Sequence, residues 1–188
     1  MVIIKSENIH GRLTHWIDEA YAEKAIHGEF RCKTDNVLPS KPVGLWLSWN
    51  GGWEEWCNGE WPDWMKDKIC LTVKLKHGLN IWLIDELEDF LLIWEDFKND
   101  IPAQKPNGLK FPRELLDEGK GYTSLLSLYF AKERGLDFWD WLKNKHKIDG
   151  VAITSSGQNK TRYTTWLYGW DAQSIIIFNP NGCVISRR

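Results

Sequence analysis

KPVGLWLSWNGGWEEWCNGEWPDWM, residues 41–65, holds six of the chain's 13 tryptophans: Trp46, Trp49, Trp53, Trp56, Trp61 and Trp64. Its first part, VGLWLSW, has the aliphatic and aromatic content of a strand. Asn50-Gly51-Gly52 is a turn signal, and Trp53, Trp56 and Cys57 then recur at helical spacing. The stretch therefore predicts a strand, a tight glycine turn and a short helix. Indole is the largest apolar side chain and keeps one N–H donor, so this density of it builds either a stiff core or a flat-walled pocket for a planar ligand. Helix-like intervals favour core packing for most of the rings.

Working outward, MVIIKSE reads as a short strand and LTHWIDEAYAEKAIHG as a helix stopped by Gly28, with Ile17, Ala20, Tyr21 and Ala25 on one face. ICLTVKL alternates cleanly, and LNIWLI follows across His77-Gly78 as a hairpin partner or neighbour. Asp85 and Glu88 have the spacing of a capping box at the head of DELEDFLLIWEDF. KNDIPAQKPNGLKFP reads as a long loop, YTSLLSLYFAKERG and DFWDWLKNKHK as helices, and GVAITS, TTWLYGW, QSIIIFN and CVIS as strands. SSGQNKTRYTT, with Arg162 and Tyr163, reads as a polar loop. Strands and helices are partly segregated, which predicts an α+β fold on mainly antiparallel sheets.

At 188 residues the chain is expected to form one domain, residues 1–188, with a core sufficient without disulfide or metal. Its 43% hydrophobic content includes no apolar run of the about 18 residues a spanning helix needs, so no membrane association is expected. The N-terminus lacks the pattern of a secretion signal, and the expected location is the cytoplasm. A net charge of -2 argues against a strongly basic nucleic-acid binder. Cys32, Cys57, Cys70 and Cys183 have no metal-site or disulfide-framework spacing, and the five histidines lie in different segments, so no metal is expected.

The phosphate-loop, dinucleotide-fingerprint, nucleophile-elbow and zinc-protease signatures are all absent. What stands out is KPVGLWLSWNGGWEEWC together with DGVAITS and WLYGWDAQS, in which Asp171 follows Trp170. A fixed carboxylate between aromatic walls stabilises positive charge that develops when a glycosidic bond to a pyridinium breaks, because Coulombic terms strengthen as water is excluded. The plainer reading of Asp171 is a turn aspartate capping a backbone N–H, and that of Ser48 an N-cap for the helix that follows.

This set of motifs resembles the ADP-ribosyltransferase-like superfamily, in particular its small bacterial and phage members. The resemblance implies a split pair of mainly antiparallel β-sheets meeting at a cleft, with NAD bound as co-substrate across their junction. The family places a polar residue, usually histidine or arginine, on a first strand, a serine or tyrosine on a second, and an acid on a late strand. By that resemblance Ser48 matches the second place and Asp171 the late acid, with Glu55 in reserve. The first place falls at Lys5, with His10 and His15 beyond it. Gly44, Leu45, Trp46, Trp49 and Trp53 would form the cofactor pocket around them. The implied activity is NAD-dependent mono-ADP-ribosylation of a protein, DNA or RNA acceptor by a toxin or phage-encoded effector, with an antitoxin or inhibitor protein as a further partner. Two alternatives stand beside it: a non-catalytic module whose exposed indoles stack on nucleobases or sugars, and an inactive member of the fold acting as an inhibitor.

Overall fold

The computed structural model describes residues 1–30, 41–101, 135–161 and 170–187, together with the positions 128, 131–133 and 167. Eight strands form one sheet: β1 (Val2–Lys5), β2 (Leu13–Asp18), β3 (Leu45–Trp49), β4 (Lys68–Leu75), β5 (Asn80–Ile84), β6 (Gly150–Ile153), β7 (Ser174–Ile177) and β8 (Cys183–Arg187). Their order is β1-β5-β6-β7-β3-β2-β4-β8, and every pairing is antiparallel except β5 with β6. Helices α1 (Glu19–Ile26), α2 (Gly52–Glu60), α3 (Leu87–Asp100), α4 (Phe138–His146) and α5 (Ser155–Thr161) accompany it. The fold is thus α+β with a mainly antiparallel sheet, as the segregation of strand and helix patterns predicts. No helix among the described residues is long and apolar enough to cross a membrane.

Successive residues of a strand face opposite sides of a sheet, and here the alternation feeds two cores. Trp82 and Ile84 of β5, Val151 and Ile153 of β6 and Ile176 of β7 join Phe90, Ile93 and Phe97 of α3 and Phe138, Trp139, Trp141 and Leu142 of α4. The intervening Ile81, Ala152, Ile175 and Ile177 join Leu13, Leu45, Leu47, Trp49, Leu71, Val73 and Ile185, with Ala22 and Ala25 of α1. The second cluster draws on every strand of the sheet once the half-buried Ile4 of β1 is included. The sheet therefore curls around it, placing its two halves on either side of one apolar filling. At about 25 cal/mol per Å2 of apolar surface removed from water, these two clusters supply the main driving force for folding.

Four sequence expectations are corrected. LTHWID is strand β2, not the first turns of a helix: Thr14, Trp16 and Ile17 suit a pleated surface, β2 lies between β3 and β4, and the helix begins only at Glu19. ICLTVKL and LNIWLI do not pair, because β4 lies between β2 and β8 while β5 lies between β1 and β6. The capping box of α3 is shifted by one residue, to Glu86 and Asp89. The first part of the polar loop, Ser155–Thr161, is helix α5, started by Thr154, whose hydroxyl accepts from the Gly157 N–H at 3.0 Å. Arg162, Tyr163 and most of TTWLYGW lie outside the described residues, as do Cys32, the long loop from Pro102 onward and most of YTSLLSLYFAKERG, while Lys98, Asn99 and Asp100 at the head of that loop belong to α3.

The narrowest join in the sheet lies between its fifth and sixth strands. β2 and β3 pair only through Leu13 with Trp49 and Thr14 with Ser48. A turn contact at Arg12 and Asn50 closes one end, with Asn50 N–H donating to the Arg12 carbonyl at 2.9 Å and Arg12 N–H to Asn50 Oδ1 at 3.0 Å. Beyond Thr14 and Ser48 the two strands part, each held on its other side, β2 by five residue pairs with β4 and β3 by four with β7. The sheet pair implied by the resemblance is thus a single sheet with a fork in it.

Candidate functional site

The fork opens into a cavity of about 310 Å3. Thr14, His15 and Trp16 line it from β2 and Trp46, Leu47 and Ser48 from β3. Trp53 of α2, Trp64 of the following 3-10 turn, the Trp170-Asp171-Ala172 segment, Ser174 and Lys41 complete it. The volume is at the lower end of the range for small-molecule sites. Its aromatic residues are braced rather than free. Trp46 meets Trp170 edge-on at 4.6 Å between ring centroids, and Trp170 stacks on Trp139 of the first core at 6.3 Å. Trp53 stacks on Trp56 at 4.7 Å and receives Trp64 edge-on at 5.3 Å.

Of the residues singled out from the sequence, the structure brings Ser48, Trp46, Trp53 and Asp171 together on this cavity. It places the others elsewhere. Lys5 is on the edge strand β1, four strands from β3, with its ammonium donating to Asn80 Oδ1 at 2.7 Å and the Gly78 carbonyl at 3.3 Å. Leu45 and Trp49 are core residues, because they face the curled side of the sheet; the Trp49 indole donates to the His10 carbonyl at 2.9 Å. Gly44 serves close packing, since a Cβ there would lie 2.5 Å from the Ile177 carbonyl oxygen. Glu55 is exposed and points away from the lining.

Ser48 has two partners at the fork. It accepts from the Trp53 N–H at 3.1 Å, the capping role open to it at the head of α2. It also donates to Glu54 Oε2. The other oxygen of that carboxylate accepts from Thr14 Oγ1 at 3.0 Å and from the Arg12 guanidinium at 3.2 Å. Glu54 therefore ties β2 to β3 from the first turn of α2, where a negative charge also meets the positive end of the helix dipole. Only 15% of its side chain is exposed. Burial pushes its pKa up, but the bonds from Ser48, its own backbone N–H and Thr14 outweigh that and hold it below the ordinary value. Gly52 makes this placement of α2 possible: a Cβ there would meet the Gln173 carbonyl oxygen at 2.8 Å.

His15 spans the fork where the backbone ladder stops, its Nδ1 lying 2.9 Å from the Trp46 carbonyl oxygen. A carbonyl only accepts, so Nδ1 carries the proton and Nε2 of the neutral ring is an acceptor. Burial holds the imidazole below its ordinary pKa, with the Trp46 bond pulling the other way. Asp171 is half-buried beside the fully packed Trp170. A histidine thus stands on the strand next to Ser48, and Lys5 does not. In the sequence His15 sits beyond Lys5 in a segment of helical pattern, and a carboxylate in Trp53-Glu54-Glu55-Trp56 has the pattern of a solvated one. No group of three or more potential metal ligands lies together among the described residues.

Comparison of the chain with family models, with curated proteins and with solved structures finds no match.

Proposed function

We propose that the chain is an NAD-dependent mono-ADP-ribosyltransferase acting on a macromolecular acceptor, with the fork cavity as its NAD site. The observation that carries this reading is the convergence of His15, Ser48 and Asp171, from three separate segments, on one indole-lined cavity between two parting strands. NAD supplies an electrophilic ribose carbon and a good leaving group. A cavity of about 310 Å3 suits one ring and its sugar rather than a whole dinucleotide. Its indole faces suit a flat cationic ring, an attraction of about 0.5–2 kcal/mol per favourable contact. Asp171 is the carboxylate that offsets positive charge at the sugar, and the Glu54 anchor keeps Ser48 fixed beside it. A short, rigid site of this kind contributes through preorganised electrostatics rather than through covalent chemistry of its own. An acceptor molecule and an inhibitor protein are the partners such an activity calls for.

NAD consumption and label transfer from adenine-labelled NAD onto the protein or a lysate test the reading. Wild-type protein is expected to show both, and Asp171→Ala to lose at least about 100-fold in rate. Equal turnover in the two proteins, or none in either, contradicts it. A second reading, a stacking platform without catalysis, draws on Trp61, which is 55% exposed at the end of α2. Quenching of indole fluorescence by oligonucleotide or glycan but not by NAD would favour that reading.

A further inference from the structure

The hydroxyl and imidazole side chains around the fork share a polarity. Thr14 donates its hydroxyl proton to Glu54, Ser48 donates its own to the other oxygen of the same carboxylate, and Ser174 donates to the Ala172 carbonyl at 3.0 Å. The His15 Nδ1 proton is taken by the Trp46 carbonyl. All four residues line the cavity. Each partner is a carboxylate or a carbonyl, which accepts and does not donate, so the direction of every one of these bonds is set by chemistry. What the three hydroxyls and the imidazole have left to offer a ligand is lone pairs. Asp171 adds a carboxylate of the same character, Lys41 is the one cation among the described residues of the lining, and the Trp16 indole N–H, buried without a hydrogen-bond partner, is a donor on the same wall.

We propose that the hydroxyls, imidazole and carboxylate of the fork cavity recognise their ligand through the ligand's own hydrogen-bond donors, with the Trp16 N–H left to meet its one acceptor: a primary amide or hydroxyls carried on a planar ring, with a ring that carries a carboxylate at that position disfavoured. The inference rests on the NAD reading for the identity of the ring, and it makes the carboxamide N–H2 and the sugar hydroxyls the groups that are read. Glu54 is the positioning residue. By holding two hydroxyl protons away from the cavity it prevents Ser48 and Thr14 from turning round to serve an acceptor. A ligand lacking the donor leaves these lone pairs without a partner in a space too apolar to replace it cheaply with water.

Three pyridines of nearly the same shape test this by tryptophan quenching: nicotinamide, 3-acetylpyridine, which keeps the carbonyl and loses the N–H2, and nicotinate. Wild-type protein is expected to bind nicotinamide about tenfold more tightly than 3-acetylpyridine, the size of one hydrogen bond, and nicotinate more weakly than either. Glu54→Gln, which frees the hydroxyls at nearly constant volume, is expected to bring the nicotinamide and 3-acetylpyridine affinities within about threefold. Equal wild-type affinities for nicotinamide and 3-acetylpyridine overturn the proposal, as does binding of none of the three. An undiminished preference in folded Glu54→Gln removes Glu54 from the positioning role. NAD titrated in parallel separates the two claims. NAD consumed without discrimination among the pyridines leaves the NAD reading standing and sinks this one. Discrimination without any response to NAD does the reverse.

Discussion

Glu54 and His15 are the side chains whose protonation the fork depends on. The folded-state pKa of Glu54 is lowered, so its contribution to stability is fully present above the unfolded glutamate value of about 4.3 and is lost as pH falls through the folded value. Glu54→Gln is therefore expected to be less stable than wild type by about 1–3 kcal/mol at pH 7, with the gap narrowing as pH falls below the unfolded glutamate value, measured by urea unfolding. His15 is also held below its ordinary value, so the folded protein resists protonating it, and its stabilising effect is lost as pH falls below about 6.5 toward the folded value. His15→Gln is expected to flatten that part of the melting-temperature profile between pH 7 and pH 5. An unchanged pH profile in the variant contradicts the geometry given to His15. Neither role was open to sequence reading. Two of the three side-chain partners of Glu54, Thr14 and Arg12, lie 40 or more residues before it, and nothing local in a tryptophan-rich helix announces a contact at that separation. Ser48 was legible because it ends a strand just before a glycine turn.

Helix α2 sets the depth of the cavity, and its seating depends on a glycine. A Cβ at Gly52 would stand 2.8 Å from the Gln173 carbonyl oxygen and 3.0 Å from its backbone nitrogen, so either α2 or the start of β7 must move. Gly52→Ala is expected to cost about 1–3 kcal/mol in urea unfolding and to loosen ligand binding with it. Lys5→Ala is the counterpart: its ammonium is engaged with Asn80 and Gly78 at the far edge of the sheet, so NAD affinity is expected to stay within about twofold in a titration. A large loss would bring β1 back into the site. At this scale the strand, glycine turn and helix of residues 43–60 were readable from local pattern alone. The strand β2 was not, since Ile17, Ala20, Tyr21 and Ala25 do have helical spacing and α1 does bury Ala22 and Ala25. Its first part becomes a strand because β4 lies alongside it through five residue pairs, a tertiary fact.

The molecule as a whole is a sheet curled on its own apolar side, with a five-stranded and a three-stranded part joined by two residue pairs at β2 and β3. Such a join leaves an opening into which side chains from both parts reach, while the packed rings behind it, Trp170 against Trp139 above all, keep its wall in place. The α+β class with mainly antiparallel strands followed from the order of sequence patterns; the fork did not, because it arises where pairing stops rather than where a motif begins. Occupation of the fork by NAD links its two sides and is expected to stabilise the entire fold. Melting the protein with and without NAD tests that claim most directly, on wild type and on Trp46→Ala side by side. NAD at about 100 times its dissociation constant is predicted to add about 2.7 kcal/mol to wild-type stability and raise its melting temperature by several degrees, with the shift largely lost in Trp46→Ala. An unshifted wild-type transition at millimolar NAD, or an equal shift in both proteins, would contradict the binding of NAD through the fork.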